Sequence, residues 1–202
     1  QLGAHGDIGL AMALDPAGNL YITGTTTSGA LTATAGAAFP AAADTSTNSF
    51  IGKFDQNLNE IFVTFAGSGR MAASSIAATA DAVFITGSLF STTLPVTPAA
   101  IFQTPASGSF ENGFVEKFNA TGTTLLSATY LTGLNGNTAP AAIAADASDN
   151  AYIAGYTTSS GYPTLAAVVP RILGATSGFL TKLTPAADGI TFSTFIPGAG
   201  IT

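Results

Sequence analysis

Gly67-Ser68-Gly69-Arg70-Met71-Ala72 is the one stretch of this chain whose spacing fits the glycine-rich fingerprint that binds dinucleotides. There the glycines let backbone approach a pyrophosphate, and the last small residue opens a helix beneath it. Here no helical pattern follows. The related stretches Gly3-Ala4-His5-Gly6-Asp7, Leu134-Asn135-Gly136-Asn137 and Pro197-Gly198-Ala199-Gly200 lack the fingerprint, so the hexapeptide reads as a turn between repeated units. His5 is the single histidine and cysteine is absent, so a histidine metal site or a serine triad would rest on that one residue. It reads as a solvated loop residue. General acid–base work needs paired carboxylates in a cleft, whereas Asp15, Asp81, Asp146, Asp149 and Asp188 fall at turn or strand-edge positions. Asp15 with Asn19, and Asp146 with Asp149 and Asn150, offer two or three side-chain oxygens each. Calcium wants six to eight oxygens, so these groups read as Asx-turn caps. No catalytic residue, metal or cofactor is expected.

The remaining chemistry is carried by lysines that recur. Lys53, Lys117 and Lys182 are 64 and 65 residues apart and sit in Ser49-Phe50-Ile51-Gly52-Lys53-Phe54, Gly113-Phe114-Val115-Glu116-Lys117-Phe118 and Gly178-Phe179-Leu180-Thr181-Lys182-Leu183. A second marker keeps the same phase: Val63-Thr64-Phe65, Ala128-Thr129-Tyr130 and Ser193-Thr194-Phe195. Two markers in step define a repeat array. Each lysine is followed by an apolar residue, Phe54, Phe118 or Leu183, so it is expected on an outer strand with its stem covering apolar surface and its amine in water.

The elements that position these residues follow from one repeat. Gly9-Leu10-Ala11-Met12-Ala13-Leu14 alternates, Asp15-Pro16-Ala17-Gly18-Asn19 is a turn, and Leu20-Tyr21-Ile22-Thr23-Gly24 returns as a strand. A long Thr/Ser/Ala-rich connection leads to a strand at 50–54 and, after a turn, another at 60–65. The second unit keeps this plan with a shortened turn at Thr79-Ala80-Asp81, and the third with Asp146-Ala147-Ser148-Asp149-Asn150. Four antiparallel strands per unit, the first built of small residues, is what a β-propeller blade requires at its crowded axis. The chain therefore reads as all-β: a partial or open propeller of three four-stranded antiparallel blades at about 8–65, 72–130 and 138–195.

Asp15-Pro16-Ala17-Gly18-Asn19-Leu20-Tyr21-Ile22-Thr23-Gly24, with Phe50-Ile51-Gly52-Lys53-Phe54 and Thr129-Tyr130-Leu131, resembles the bacterial SBBP-type β-propeller repeat. That family pairs an Asp-x-x-Gly-Asn turn with an aromatic-Val-Thr-Gly strand, a Phe-Pro-Thr-Thr connection, an Asp-Ala-Phe-Val-Ala-Lys-Leu strand and a final Ser-Thr-Tyr-Leu-Gly-Gly. The second unit departs from it by losing the Asp-x-x-Gly-Asn turn. The resemblance implies secreted or cell-surface proteins of bacteria and does not imply an enzyme.

Composition narrows the partners. Charged residues make up 8% of the chain, about a third of the usual share, and the net charge of -6 disfavours nucleic acid and anionic membranes, which select basic patches. No apolar run reaches the roughly 18 residues of a helical membrane span. The expected role is a non-catalytic structural or interaction module of an extracellular or cell-envelope protein. Its expected partner is protein: further blades of a parent chain, a second copy or a larger assembly. Two alternatives are a carbohydrate-binding propeller, with Asn135, Asn137, Tyr156 and Tyr162 on its rim, and part of a propeller hydrolase or lyase. The chain opens on Gln1, which reads as a processed product or an excised piece, and the array is expected to continue on both sides.

Overall fold

Asp15 makes the first turn work. Its carboxylate accepts from the amides of Ala17 and Asn19, at 3.0 and 2.9 Å, while Gly18 takes the left-handed conformation (φ 81°) that the reversal needs. Hairpins of this kind build the molecule. In a computed structural model, residues 6–27, 29–108, 111–172 and 174–196 are described, and they form twelve strands and no helix. The first sheet is β1 (Ile8–Leu14), β2 (Leu20–Thr26), β3 (Asn48–Phe54) and β4 (Glu60–Gly69). The second is β5 (Met71–Ala78), β6 (Ala82–Leu89), β7 (Asn112–Asn119) and β8 (Leu125–Leu131). The third is β9 (Thr138–Ala145), β10 (Ala151–Thr157), β11 (Ser177–Leu183) and β12 (Ile190–Ile196). Each is an antiparallel meander in chain order. The sheets pack through their first strands, β1 on β5 and β5 on β9, as blades of an open propeller do.

Close approach at these inner strands explains a repeated glycine. Each first strand has a bulge, passing Leu10, Ser74 and Ala141, opposite Gly24, Gly87 and Gly155. A β-carbon on those glycines would lie 1.9, 2.0 and 2.3 Å from the carbonyl oxygens of Ile8, Ala72 and Ala139, so only glycine fits.

The second sequence marker has an equally direct cause. The long connection between second and third strands folds back along the fourth, where Thr64, Thr129 and Thr194 accept at Oγ1 from the amides of Phe39, Phe102 and Val169, at 3.1, 3.2 and 2.8 Å. The amides of Phe65, Tyr130 and Phe195 in turn donate to the carbonyls of Phe39, Phe102 and Val169. The connection is thereby part of the blade.

The hexapeptide at 67–72 is not a turn over its length. Asn48 pairs with Gly69, which extends β4, and β5 begins at Met71, so the reversal is confined to Arg70 at φ 53°. Ser46 Oγ accepts from the Arg70 amide at 2.9 Å, and the Arg70 carbonyl accepts from Phe90 at 3.0 Å. With strand on both sides, no helix N-terminus is available for a pyrophosphate.

Candidate functional site: the blade-to-blade interface

The three lysines occupy one register position, on β3, β7 and β11, opposite an aromatic residue on the neighbouring strand: Lys53 and Tyr21, Lys117 and Phe84, Lys182 and Tyr152. Each ammonium lies over that ring, at 4.7, 5.3 and 4.7 Å from its centre, a cation–π geometry. Lys53 also pairs with Asp15 at 3.4 Å, Lys117 with Asp149 at 3.0 Å and Lys182 with Asp146 at 3.5 Å. The expectation of a water-exposed amine is corrected for the first two: Lys53 and Lys117 are buried. The reason is a third contact. Lys53 Nζ donates to the Ala120 carbonyl of the second blade at 3.1 Å, and Lys117 Nζ to the Pro185 carbonyl of the third at 3.2 Å. Among the described residues no carbonyl receives Lys182, which is half-buried.

Two of these clamps draw their carboxylate from their own blade. The second does not. Its blade has Thr79 where the others have Asp15 and Asp146, and Lys117 pairs instead with Asp149 across the interface. Thr79 Oγ1 donates to the same carboxylate at 2.8 Å. Asp149 stands where the first blade has Gly18, and it holds the left-handed conformation (φ 63°) as a non-glycine residue, which costs about 1 kcal/mol. The lost turn aspartate is thus replaced by a neighbour's.

The turn aspartates, weighed against calcium and read as Asx-turn caps, are engaged by donors of their own turns. Asp146 accepts from the amides of Ser148 and Asn150, from Asn150 Nδ2 and from the Tyr152 hydroxyl, besides facing Lys182. Desolvation pushes its pKa up, but these hydrogen bonds outweigh that and bring it down to about 2. Asp15 is held below its usual range in the same way, burial opposing and Asn19 and Lys53 prevailing. Among the described residues no cluster of three His, Asp or Glu side chains is placed to hold a metal.

Glu116 is the functional-looking group the sequence reading passed over. It lies on β7 beside Lys117 but faces the other side of the sheet, fully buried, and both carboxyl oxygens meet the Gly67 amide, at 3.2 and 3.4 Å. Burial pushes its pKa up to about 8 against that one donor, so the side chain is mostly protonated at neutral pH. A raised carboxyl pKa suits a general acid. Glu116, however, has no solvent access, and a β-carbon on Gly67 would meet Pro95 at 2.3 Å, which shows how closely that junction packs. In the sequence it stands between Val115 and Lys117 of the recurring strand, where nothing in residue type separates a buried acid from a solvated one.

The proposed sugar rim does not assemble as drawn. Tyr162 is buried, its hydroxyl 2.7 Å from Thr181 Oγ1 and its ring tilted on Phe179 at 4.6 Å. It cannot offer a stacking face. Asn135 and Asn137 lie in the junction between β8 and β9, engaged with Ser159 and Thr158, and Asn137 Oδ1 also accepts from the Glu111 amide at 3.2 Å. Tyr156, on β10, is exposed. A groove nearby, of about 550 Å³, is lined by Phe102, Pro105, Leu134 and Pro163 among others and by none of the four rim residues. His5 lies outside the described residues.

The SBBP family, described as a beta-propeller repeat, matches residues 1–30 and 128–163. The matched segments are similar to the SBBP repeat, and they contain the Asp15 turn and the Thr129 marker. No curated protein matches the chain.

Proposed function

We propose that this chain is a non-catalytic structural module that holds protein partners by its blade faces, in an extracellular or cell-envelope setting. The observation that carries it is a comparison of equivalent positions on the three inner strands. Ile76 of β5 and Ile143 of β9 plug into the preceding blade and are 5% and 8% exposed, whereas Met12 of β1 is 72% exposed. Leu14, matching Ala78 and Ala145, is 64% exposed beside it. A surface strand alternating in this way normally turns polar residues outward. Here the outward residues are the apolar ones that other blades bury.

The charged groups support the same reading. The lysines and their aspartates hold turns or join blades, and the one carboxyl with a raised pKa is sealed inside. The SBBP repeat supports the extracellular or envelope setting. Light scattering with a hydrophobic dye tests the proposal. The isolated chain is expected to associate at micromolar concentration and to bind dye when dilute; a soluble monomer that binds none contradicts it.

A further inference from the structure

Resting on that scaffold reading, we propose that the partner of the β1 face is a second copy of this chain, docked head to tail so that its third blade receives the first. The reason is that one chain carries both halves of the contact its own blades make twice. Between the blades the receiving side is built from Ala13, Tyr21, Ile51 and Ala66 of the first, and from their equivalents Ala77, Phe84, Val115 and Leu131 of the second. Register places Ala144, Tyr152, Leu180 and Ile196 at the same positions of the third blade. Ala66 and Leu131 are buried, while Ile196 is 45% exposed; Ala144 is exposed, and Tyr152 and Leu180 are half-buried. The third blade presents a receiving face, and the first presents the residues that fill one.

The polar half of the contact is complementary too. In both internal interfaces the lysine of one blade reaches the carbonyl just after the residue that opens the turn between the third and fourth strands of the next blade, Ala120 after Asn119 and Pro185 after Thr184. The equivalent carbonyl of the first blade belongs to Gln56, after Asp55, and it lies in an exposed turn. Lys182, already seated on Tyr152 and Asp146, is the lysine that matches it. Docking brings Lys182 Nζ to the Gln56 carbonyl and Met12 and Leu14 onto the face around Tyr152. Such a contact is heterologous, joining different surfaces of the two copies.

That property gives the test. Met12→Asp blocks the first face and Ala144→Arg the third, both at exposed positions whose change leaves the blades' own cores intact; Leu14→Asp and Ile196→Asp serve as second variants of each face. Sedimentation velocity of each variant alone is expected to show loss of head-to-tail association. An equimolar mixture of the two is expected to form a 1:1 dimer, because each retains the face the other lacks. Lys182→Met in the otherwise native chain is expected to weaken association about tenfold, as loss of a hydrogen bond to a charged group does. A mixture that stays monomeric while the native chain associates overturns the head-to-tail contact and leaves the scaffold reading standing. So does an association abolished by Met12→Asp but untouched by both third-face variants, which would join like faces. A native chain that never associates overturns both.

Discussion

The interface between the first and second blades and that between the second and third perform the same task with carboxylates of different origin. Lys53 finds Asp15 within its own sheet, fixed by the turn it caps, while Lys117 finds Asp149 in the next sheet, held there by a strained left-handed residue. What both keep is the ammonium over a ring, a paired carboxylate and a turn carbonyl of the following blade. The difference teaches that the repeat conserves a charge balance at a place, and that the residue supplying it is free to move across the interface. It also explains why the second unit can lose its turn aspartate without exposing or stranding a buried lysine.

The largest expected effect comes from breaking the second clamp. Lys117→Met leaves Asp149 facing an apolar interface and removes the bond to Pro185, so urea unfolding is expected to show a loss of about 3 kcal/mol. Lys182→Met, in a half-open clamp, is expected to change the unfolding midpoint of the dilute chain little. Equal losses at both positions would mean the cross-blade carbonyl contributes nothing.

The next effect lies beside that clamp, on the opposite face of the sheet. Because the folded-state pKa of Glu116 is raised to about 8, its contribution is fully present below the unfolded carboxyl value of 4.5 and is lost as pH rises through that window. Stability is expected to fall by about 2 kcal/mol between those limits, following the linkage slope discounted for relaxation of the buried site. Glu116→Gln is expected to flatten the alkaline fall in melting temperature, and an unchanged profile would place the ionised carboxylate in a solvated site.

A smaller effect separates the two carboxylate origins. Asp149→Gly relieves the left-handed strain but strips Lys117 of its partner, and a net loss of about 1 kcal/mol is expected. Adding Thr79→Asp rebuilds the arrangement of the first blade and is expected to recover that loss in a double-mutant cycle. No recovery would show that the shortened second turn cannot aim a carboxylate at Lys117. The smallest effect is at Asp146, whose depressed pKa gives stability that is present above 3.8 and lost as pH falls toward about 2. Asp146→Asn is expected to remove part of the acid-side decline in melting temperature, and a decline of unchanged size would assign it elsewhere.

The repeat phase was legible in the sequence because both markers do the same job in every blade: the lysine seats its ammonium over a ring beside a carboxylate, and the threonine ties down the long connection. The strand pattern, the propeller-like array and the Asx turns followed from turn residues and alternation alone. Burial of Lys53 and Lys117 was not legible, since the acceptors Ala120 and Pro185 lie a whole repeat away and a backbone carbonyl leaves no signature in residue types. Tyr162 and Glu116 were hidden for a related reason. A residue in a proline-bearing connection looks exposed until the connection is seen to fold onto its own blade, and an acid in a strand looks solvated until both faces of the sheet are covered.

The chain has two methionines, and they stand on opposite sides of the central claim: Met71 is fully buried within the array and Met12 is 72% exposed on its open face. Carbon-13 methyl spectra recorded over a dilution series therefore read the docking face against an internal reference. With rising concentration the Met12 methyl is expected to shift and broaden as it enters the face around Tyr152, while Met71 stays fixed. A Met12 signal that remains sharp and unshifted from micromolar to millimolar protein contradicts the docking of one copy on another.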